Sequence, residues 1–292
     1  MCFYKWNHFY VRLLSLHGLF TVTVKIMSVY LVVFIVLTYL IWIKCIYYRH
    51  RPTLVKSLQR VVNVLSSREI NGDDVRVLIV TAHPDDECMF FAPTIINLVE
   101  LNADVHLLCL SEGNYYKQGA QRKQELLNSC AVLGIPDSRI TLPDDPKAEW
   151  SVPLVSSIIV QHMRAHILLF QVLTFDGSGV SGHANHTAIH KAVSALCCSN
   201  RLHESYCCLL SLVTVGLLRK YISFLELPFS WLLPSSLRCI VGPQGYRRAK
   251  DAMFCHRSQL LWFRYLYITF SRYMFGNTFQ MIPQGPTNLK MY

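Results

Sequence analysis

Charged residues are scarce in this sequence, and acidic residues are the scarcest. Of the 292 residues, 16% are charged and 52% are hydrophobic, a balance that excludes an intrinsically disordered chain. Only 18 Asp and Glu residues oppose 28 Lys and Arg residues, which gives a net charge of +10. No internal repeat or low-complexity tract interrupts the chain, so its length fits one large domain or two small ones.

The chain also lacks the cysteine spacing of a disulfide framework. It has 11 cysteines but no CxxC pair, and the doublets Cys197-Cys198 and Cys207-Cys208 stand among apolar residues. This pattern predicts buried free thiols in a reducing compartment.

No recognisable nucleic-acid-binding module accompanies the positive charge. Lys and Arg occur in short groups among aromatic residues, as in 247–250 and 264–272. Such groups form either a solvated basic face or a surface for anionic lipid head groups, where each nearby cation contributes about 1 kcal/mol. We therefore expect a membrane as partner and no nucleic acid; the sequence does not identify protein partners.

One long apolar run lies near the N-terminus. Residues 26–43 carry no charge over eighteen positions, enough for a helix to cross a hydrocarbon core of about 30 Å. We expect an N-terminal tail at 1–25, a transmembrane anchor at 26–48 and a basic linker at 49–73. Lys and Arg are more numerous after the run than before it, which places the rest of the chain in the cytosol. A cleaved signal peptide is the alternative, but the run is long and no A-x-A pattern follows it.

Apolar and amphipathic segments alternate along the remaining chain. Runs rich in Val, Ile and Leu at 75–81, 105–110, 139–142, 167–174, 208–215 and 237–241 predict strands, and helical spacing occurs at 89–101, 121–133, 152–166 and 186–197. This alternation predicts an α/β fold with a Rossmann-like, mostly parallel sheet and helices on both faces. Residues 216–234 predict a core helix, with a segment resting on the membrane as the alternative.

The first strand exit, TAHPDDE at 81–87, crowds one imidazole and three carboxylates. Like charges at this spacing raise one another's pKa unless a cation or a shared proton lies between them. His83 and Asp86 flank a tight turn at Pro84 and can aim a nitrogen and an oxygen at one point, as zinc requires. Asp85 would then point elsewhere, within reach of a water on the metal.

A later strand exit, in TFDGSGVSGHANH at 174–186, supplies His183 and His186. Ligands collect at the carboxyl ends of parallel strands, so either histidine could complete a three-ligand zinc site that keeps a position open for water. The same stretch contains GxGxxG, the dinucleotide-binding spacing. Glu204 precedes the next predicted strand instead of ending it, which disfavours a dinucleotide site. The glycines are equally explained by a loop that brings His183 and His186 close to His83.

Four segments together resemble one family: AHPDDE, SEGN at 111–114, the GHANH loop and CHRSQLLWFR at 255–264. The chain resembles the N-acetylglucosaminyl-phosphatidylinositol de-N-acetylases, the membrane-bound branch of the zinc-dependent N-acetylglucosamine deacetylases, over about residues 74–275. We therefore expect a deacetylase domain at 74–275 and a C-terminal tail at 276–292. The resemblance implies hydrolysis of the substrate's N-acetyl group, the second step of glycosylphosphatidylinositol anchor synthesis, at the endoplasmic reticulum with the catalytic domain in the cytosol.

The resemblance also assigns roles. His83, Asp86 and His186 would be ligands of Zn²⁺ or another divalent metal, Asp85 the general base, and His183 the residue that stabilises the oxyanion or protonates the leaving amine. Asn114, Arg122 and Glu125 would shape the sugar and phosphate side of the pocket; Arg122 and Glu125 are otherwise an ordinary i, i+3 surface pair. Two alternatives to this function remain, namely a non-catalytic membrane subunit that keeps the fold and a deacetylase of another N-acetylglucosamine conjugate.

Overall fold

A computed structural model describes residues 2–63, 76–143, 150–165, 170–198 and 208–282. The chain divides into two units, Met1–Ile46 and Tyr47–Tyr292. Helix α1 (Cys2–Asn63) contains residues of both units. Among the described residues, the stretch Phe20–Gln59 of α1 is the one helical segment long and apolar enough to cross a membrane, with a mean hydropathy of 2.5 in its most apolar window.

The end of α1 packs as part of the second unit. Leu54 and Leu58 are buried in its hydrophobic core, and the buried His50 ring contacts the Asn97 amide oxygen at 3.2 Å and accepts from the backbone N–H of Ile240. The linker expected at 49–73 is therefore wrong for residues 49–63, because the hydrophobic effect holds one face of the helix against the domain. Residues 64–75 lie outside the described part of the chain.

A seven-stranded sheet forms the centre of the second unit, in the order β3-β2-β1-β4-β5-β7-β6. The strands are β1 (Arg76–Thr81), β2 (Asp104–Cys109), β3 (Ile140–Thr141), β4 (Phe170–Phe175), β5 (Cys208–Leu212), β6 (Leu237–Ile240) and β7 (Gly276–Met281). β1 to β5 pair in parallel, whereas β7 runs antiparallel to both β5 and β6. The apolar run of β1 is buried throughout, as expected for a central parallel strand covered on both faces.

Helices surround this sheet. They are α2 (Asp86–Phe90), α3 (Ala92–Glu100), α4 (Gly119–Leu133), α5 (Val152–Ala165), α6 (Gly179–Gly182), α7 (Ala184–Cys198), α8 (Leu217–Lys220), α9 (Leu227–Leu232), α10 (Pro243–Cys255) and α11 (Trp262–Phe270). Helices α3, α4 and α10 pack together, and α5 packs on α7. Right-handed crossovers place these two groups on opposite faces, because the strand order changes direction between β1 and β4. The predicted α/β fold is confirmed.

Two expectations for the C-terminal half are wrong. Residues 276–281 were expected in a tail, but they form β7 and fill the position between β5 and β6; residues 283–292 are not among those described. Residues 216–234 do not form one core helix. Pro228, which lacks a backbone N–H, stands in the first turn of a separate helix, α9, and Leu217 and Leu218 are 76% and 81% exposed.

Nine cysteines whose side chains the structure describes are free thiols. Cys88, Cys109, Cys130, Cys208 and Cys239 are buried. Burial raises the pKa of each of these five thiols, so they remain protonated and unreactive. The prediction of buried free thiols is confirmed for these residues.

Candidate metal centre and active site

A cavity of about 660 Å³ opens at the carboxyl ends of the parallel strands. Seven of the eight site residues expected from the sequence line it: His83, Asp85, Asp86, Asn114, Arg122, His183 and His186. They come from three strand exits because β1 lies between β2 and β4 in the sheet. The fold thus brings together side chains that lie about one hundred positions apart, as crevices at the carboxyl ends of open parallel sheets do.

Imidazole nitrogens and one carboxylate converge at the base of the cavity. Ligand atoms of His83, His183 and His186 all lie within 4.8 Å of one another. The Asp86 carboxylate lies 3.2 Å from His186 Nε2 and 3.7 Å from His83 Nδ1. This set of nitrogen and oxygen donors fits a divalent transition metal such as zinc, and it contains the three residues expected as ligands.

The ring of His186 is held in one orientation. Its Nδ1 lies 3.1 Å from the carbonyl oxygen of Gly179, a contact that requires the proton on Nδ1 and directs Nε2 toward Asp86. The ring also stacks on Phe175 with centroids 3.8 Å apart. Hydrogen bonds of this kind fix the tautomer of metal-binding histidines.

The glycine-rich loop allows Gly179 to approach His186 closely. Gly179 has φ +56°, and a Cβ atom there would meet the Cβ atom of His186 at 2.9 Å. Only glycine tolerates both the left-handed backbone and this close approach. The GxGxxG pattern is therefore explained by the backbone geometry of this loop, which brings His183 and His186 beside His83.

Asp86 and His83 carry the protonation states that metal binding needs. Burial alone would raise the pKa of Asp86, but the neighbouring His186, and then His83 with its backbone N–H, lower it to about 2. Its Oδ2 accepts from the backbone N–H groups of Ala82 and His83. Burial lowers the pKa of His83 to about 4. The pair is therefore an ionised carboxylate and a neutral imidazole near pH 7, which are the forms that bind cations.

Asp85 occupies a strained and buried position beside the cluster. Its φ is 112°, a left-handed value that costs a non-glycine residue of the order of 1–3 kcal/mol. The backbone N–H of Asp85 donates to Glu87 Oε2 at 3.0 Å, which holds this conformation. Burial, followed by the charge of Asp86, raises the pKa of Asp85 to about 6 in spite of the nearby arginines. A carboxylate with a pKa near neutrality is suited to accept and return a proton.

Two arginines face Asp85. Arg264 Nη2 donates to Asp85 Oδ2 at 2.8 Å, and Arg122 Nη2 lies 4.0 Å from Asp85 Oδ1. Arg122 also donates to the carbonyl oxygens of Pro84 and Gly113. Together these contacts fix the turn that carries the acid cluster and set the orientation of the Asp85 carboxylate.

His183 is the most exposed of the three clustered histidines. Its Nδ1 accepts from the backbone N–H of Asn185 at 3.3 Å, which leaves the ring proton on Nε2. Burial, followed by the proximity of His186, lowers the pKa of His183. The resting imidazole is therefore a neutral donor, which suits the stabilisation of an oxyanion better than the protonation of a leaving amine.

The three residues expected near the sugar and phosphate differ in position. Asn114 and Arg122 line the cavity, and Asn114 Oδ1 accepts from the backbone N–H of Gly119. Glu125 does not line it: this buried carboxylate accepts from the backbone N–H and the hydroxyl of Ser258 at 2.9 and 2.6 Å. Glu125 therefore lies outside the cavity lining and is hydrogen-bonded to Ser258 rather than paired with Arg122.

The cavity residues that were not identified from the sequence include Trp150, Asn185 and Arg264. Asn185 Nδ2 lies 2.9 Å from His83 Nε2. Its position inside the GHANH motif could have identified it as a site residue from the sequence. Arg264 interrupts an otherwise aromatic and apolar stretch, which marks a charge with a specific partner. No sequence pattern distinguishes Trp150, whose ring lies 6.0 Å from that of His83.

A family model and curated relatives match large parts of this chain. A family model described as PIG-L: GlcNAc-PI de-N-acetylase matches residues 78–197. The chain is 48% identical to N-acetylglucosaminyl-phosphatidylinositol de-N-acetylase of Bos taurus over 217 residues, which is 72% of this chain and 85% of the relative. It is 32% identical to the probable enzyme of the same name from Dictyostelium discoideum over 253 residues, 74% of this chain and 97% of that one.

A solved structure shares the fold. The N,N'-diacetylchitobiose deacetylase from Pyrococcus horikoshii superposes with a TM-score of 0.53 and 17% identity, covering 79% of this chain and 94% of that one. The identity to the Bos taurus protein, which extends over most of both chains, decides the family. The chain belongs to the GlcNAc-PI de-N-acetylase family.

Proposed function

We propose that this protein is a zinc-dependent amidohydrolase that removes the N-acetyl group from N-acetylglucosaminyl-phosphatidylinositol, giving glucosaminyl-phosphatidylinositol and acetate. The observation that carries the proposal is the convergence of His83, Asp86 and His186 beside Asp85 in one cavity. The names of the relatives add the substrate.

His83, Asp86 and His186 would hold the metal. A zinc ion held by these residues would supply Lewis-acid chemistry for the acetamide carbonyl and would lower the pKa of a nearby water to about 7. The neutral His83 and the ionised Asp86 need no proton loss before binding, and the Gly179 carbonyl keeps His186 Nε2 available. Another divalent metal with the same donor preference would serve.

Asp85 is the general base. Its carboxylate accepts a proton as the water oxygen attacks the acetamide carbon, and Arg264 keeps it oriented toward the cavity. When the C–N bond breaks, the leaving nitrogen takes a proton from Asp85, and acetate departs. The pKa of Asp85, raised to about 6, matches this alternating role.

His183 stabilises the tetrahedral oxyanion. Its Nε2–H is free of the Asn185 contact, which occupies Nδ1. A donor aimed at developing negative charge in a site with little water contributes of the order of 10²–10³ in rate. Asn114, Arg122 and Trp150 also line the cavity and would contact the sugar.

The proposed location is the membrane of the endoplasmic reticulum, crossed once by α1, with the catalytic domain in the cytosol. Five Lys and Arg residues lie at 44–60, directly after the apolar run, and three lie before it; Lys and Arg favour the cytoplasmic side. The buried free thiols fit a reducing compartment. Protease treatment of sealed microsomes tests this topology: a cytosolic catalytic domain is digested without detergent, and a lumenal one is protected.

Product analysis tests the activity. Purified full-length protein in detergent is incubated with N-acetylglucosaminyl-phosphatidylinositol and, separately, with N,N'-diacetylchitobiose. We expect acetate and a free glucosamine amine only from the glycolipid. Release from the disaccharide alone would indicate a different N-acetylglucosamine conjugate as substrate, and release from neither by folded, metal-loaded protein would favour a non-catalytic subunit.

A further inference from the structure

A second groove adjoins the metal cavity. It has a volume of about 640 Å³ and shares Met89, Phe90, Ser181 and Arg264 with the cavity lining. Its other walls come from α8, α11 and the residue after α8: Lys220, Tyr221, Trp262, Phe263, Leu266, Tyr267 and Phe270. A ligand that occupies both spaces would pass directly from one to the other.

Lys220 is a cation without an anionic partner in this groove. It is only 8% exposed, and none of the ion pairs among the described residues includes it. The nearest acid along the chain, Glu226, is already paired with Arg219 and Arg272. The Nζ atom of Lys220 lies over the Tyr221 ring, 5.6 Å from the ring centroid.

The burial of Lys220 has an energetic consequence. Removing an ammonium group from water is unfavourable unless an opposite charge or hydrogen bonds replace the lost hydration. Burial accordingly lowers the pKa of Lys220. An anionic group bound in the groove would restore the missing interaction, and a phosphodiester has the charge and the acceptor oxygens to do so.

The outer part of the groove is apolar and exposed. Trp262, Leu266 and Phe270 follow one another at i, i+4 and i+8 on α11 and are 74%, 50% and 48% exposed. This spacing forms one stripe along the helix. Leu217 and Leu218 on α8 are also exposed, at 76% and 81%. Exposed apolar surface of this extent beside a cavity marks a site for an apolar ligand or a membrane.

We propose that this groove holds the lipid part of the glycolipid substrate, with the phosphodiester at Lys220 and an acyl chain along Trp262, Leu266 and Phe270. The inference rests on the proposed function, since it names the part of that substrate which lies outside the metal cavity. Two observations favour this occupant: the charge of Lys220 complements that of a phosphodiester, and Arg264 lines both the groove and the metal cavity. The groove thereby makes the enzyme specific for a lipid-linked sugar at a membrane surface.

Three substrates separate the contributions of the groove. They are N-acetylglucosaminyl-phosphatidylinositol, its deacylated glycerophosphate derivative, and N-acetylglucosaminyl-inositol, which has no phosphate. Lys220→Met keeps the aliphatic stem and removes the charge. We expect kcat/KM to fall about 10- to 100-fold on the two phosphorylated compounds and to stay unchanged on the third, because a charge-assisted hydrogen bond is lost only where phosphate is present.

A second variant tests the apolar stripe. Leu266→Ser is expected to lower kcat/KM about tenfold on the diacyl substrate alone, because it removes apolar contact area from the acyl chain. Matched controls are Lys191→Met, at an exposed position on α7, and Leu261→Ser, which is 56% exposed and does not line the groove. Both controls should match the wild-type protein on all three compounds.

Either of two results would overturn the proposal: Lys220→Met acts like Lys191→Met on every compound, or it loses the same factor on all three. Inactivity of the wild-type protein on all three would contradict the proposed function instead. In that case, the affinity of the protein for phosphatidylinositol in mixed micelles still tests whether the groove binds this lipid. Weaker binding by Lys220→Met than by Lys191→Met supports it, and equal binding contradicts it.

Discussion

Arg264 donates a hydrogen bond through Nη2 to Asp85 Oδ2 at 2.8 Å, although 179 positions separate the two residues in sequence. The contact joins the start of α11 to the turn after β1. It gives a buried carboxylate, whose side chain is 7% exposed, a cationic partner at the edge of the cavity.

Replacement of Arg264 tests the importance of this contact. Arg264→Met should lower kcat about 100-fold, because a small displacement of a catalytic group has an effect of this order, while the bound metal is retained. Arg264→Lys should recover part of the rate. Arg257→Met, at an exposed position before α11, is the control. Equal rates for Arg264→Met and Arg257→Met would show that Asp85 needs no orienting cation.

Replacement of Asp85 tests the general base. Asp85→Asn removes the proton acceptor and no proposed ligand, so turnover should fall about 10²- to 10⁴-fold with an unchanged metal-to-protein ratio. Acetate release and mass-spectrometric metal analysis on the same sample measure the two quantities. Near-normal turnover would refute the role of Asp85, and loss of metal would place it among the ligands.

The metal content of variants distinguishes the three proposed ligands from the nearby His183. His186→Ala and Asp86→Ala should each lose the metal together with activity, because three protein ligands are the minimum of a catalytic zinc site. His183→Ala should keep the metal and lose about 10²- to 10³-fold in kcat. The assignment is wrong if His183→Ala loses metal and His83→Ala retains it, since all three imidazoles lie within 4.8 Å of one another.

A buried pair beneath the site predicts a pH-dependent stability. His256 Nε2 lies 2.6 Å from Glu87 Oε1, and both side chains are fully buried. Burial lowers the pKa of His256, but the charge of Glu87 and its hydrogen bond, with smaller contributions from Asp85 and Glu125, raise it above the ordinary value. The pair also matters for catalysis, because Glu87 accepts from the Asp85 backbone.

The sign of this effect follows from the raised pKa. The contribution of the His256 charge is complete below the unfolded value of about 6.5 and disappears as pH rises through the higher folded value. His256→Gln should cost about 3–5 kcal/mol near pH 6, and the difference from wild type should shrink at alkaline pH. Denaturant unfolding of the full chain in detergent, from pH 6 to pH 10, measures it. A difference that stays constant over this range would contradict the charged pair.

The fold could be predicted where the sequence pattern is local. The apolar runs of β1, β2 and β4 and the polar strand exits after them located the metal cavity, because parallel strands carry their functional loops at one edge. Strand β7 could not be found in this way. Its sequence, GNTFQM, alternates polar and apolar residues only over its last four positions, and its place in the sheet depends on partners in β5 and β6 that are distant along the chain.

The partners of the site residues were predictable only in part. His83, Asp86 and His186 stand in short motifs, whereas Arg264 reaches Asp85 from a helix that follows β6. The same limit explains Glu125, because its partner Ser258 lies 133 positions away. It also explains Leu217 and Leu218: hydropathy indicates burial in a core, but these side chains remain exposed next to the groove.

Acetate release from N-acetylglucosaminyl-phosphatidylinositol by the purified full-length protein, before chelation, after chelation and after addition of Zn²⁺, tests the central claim most directly. The account predicts release that stops when the metal is removed and returns with zinc, in wild type but not in His186→Ala. Release that persists in metal-free protein would contradict a metal-dependent deacetylase built on His83, Asp86 and His186.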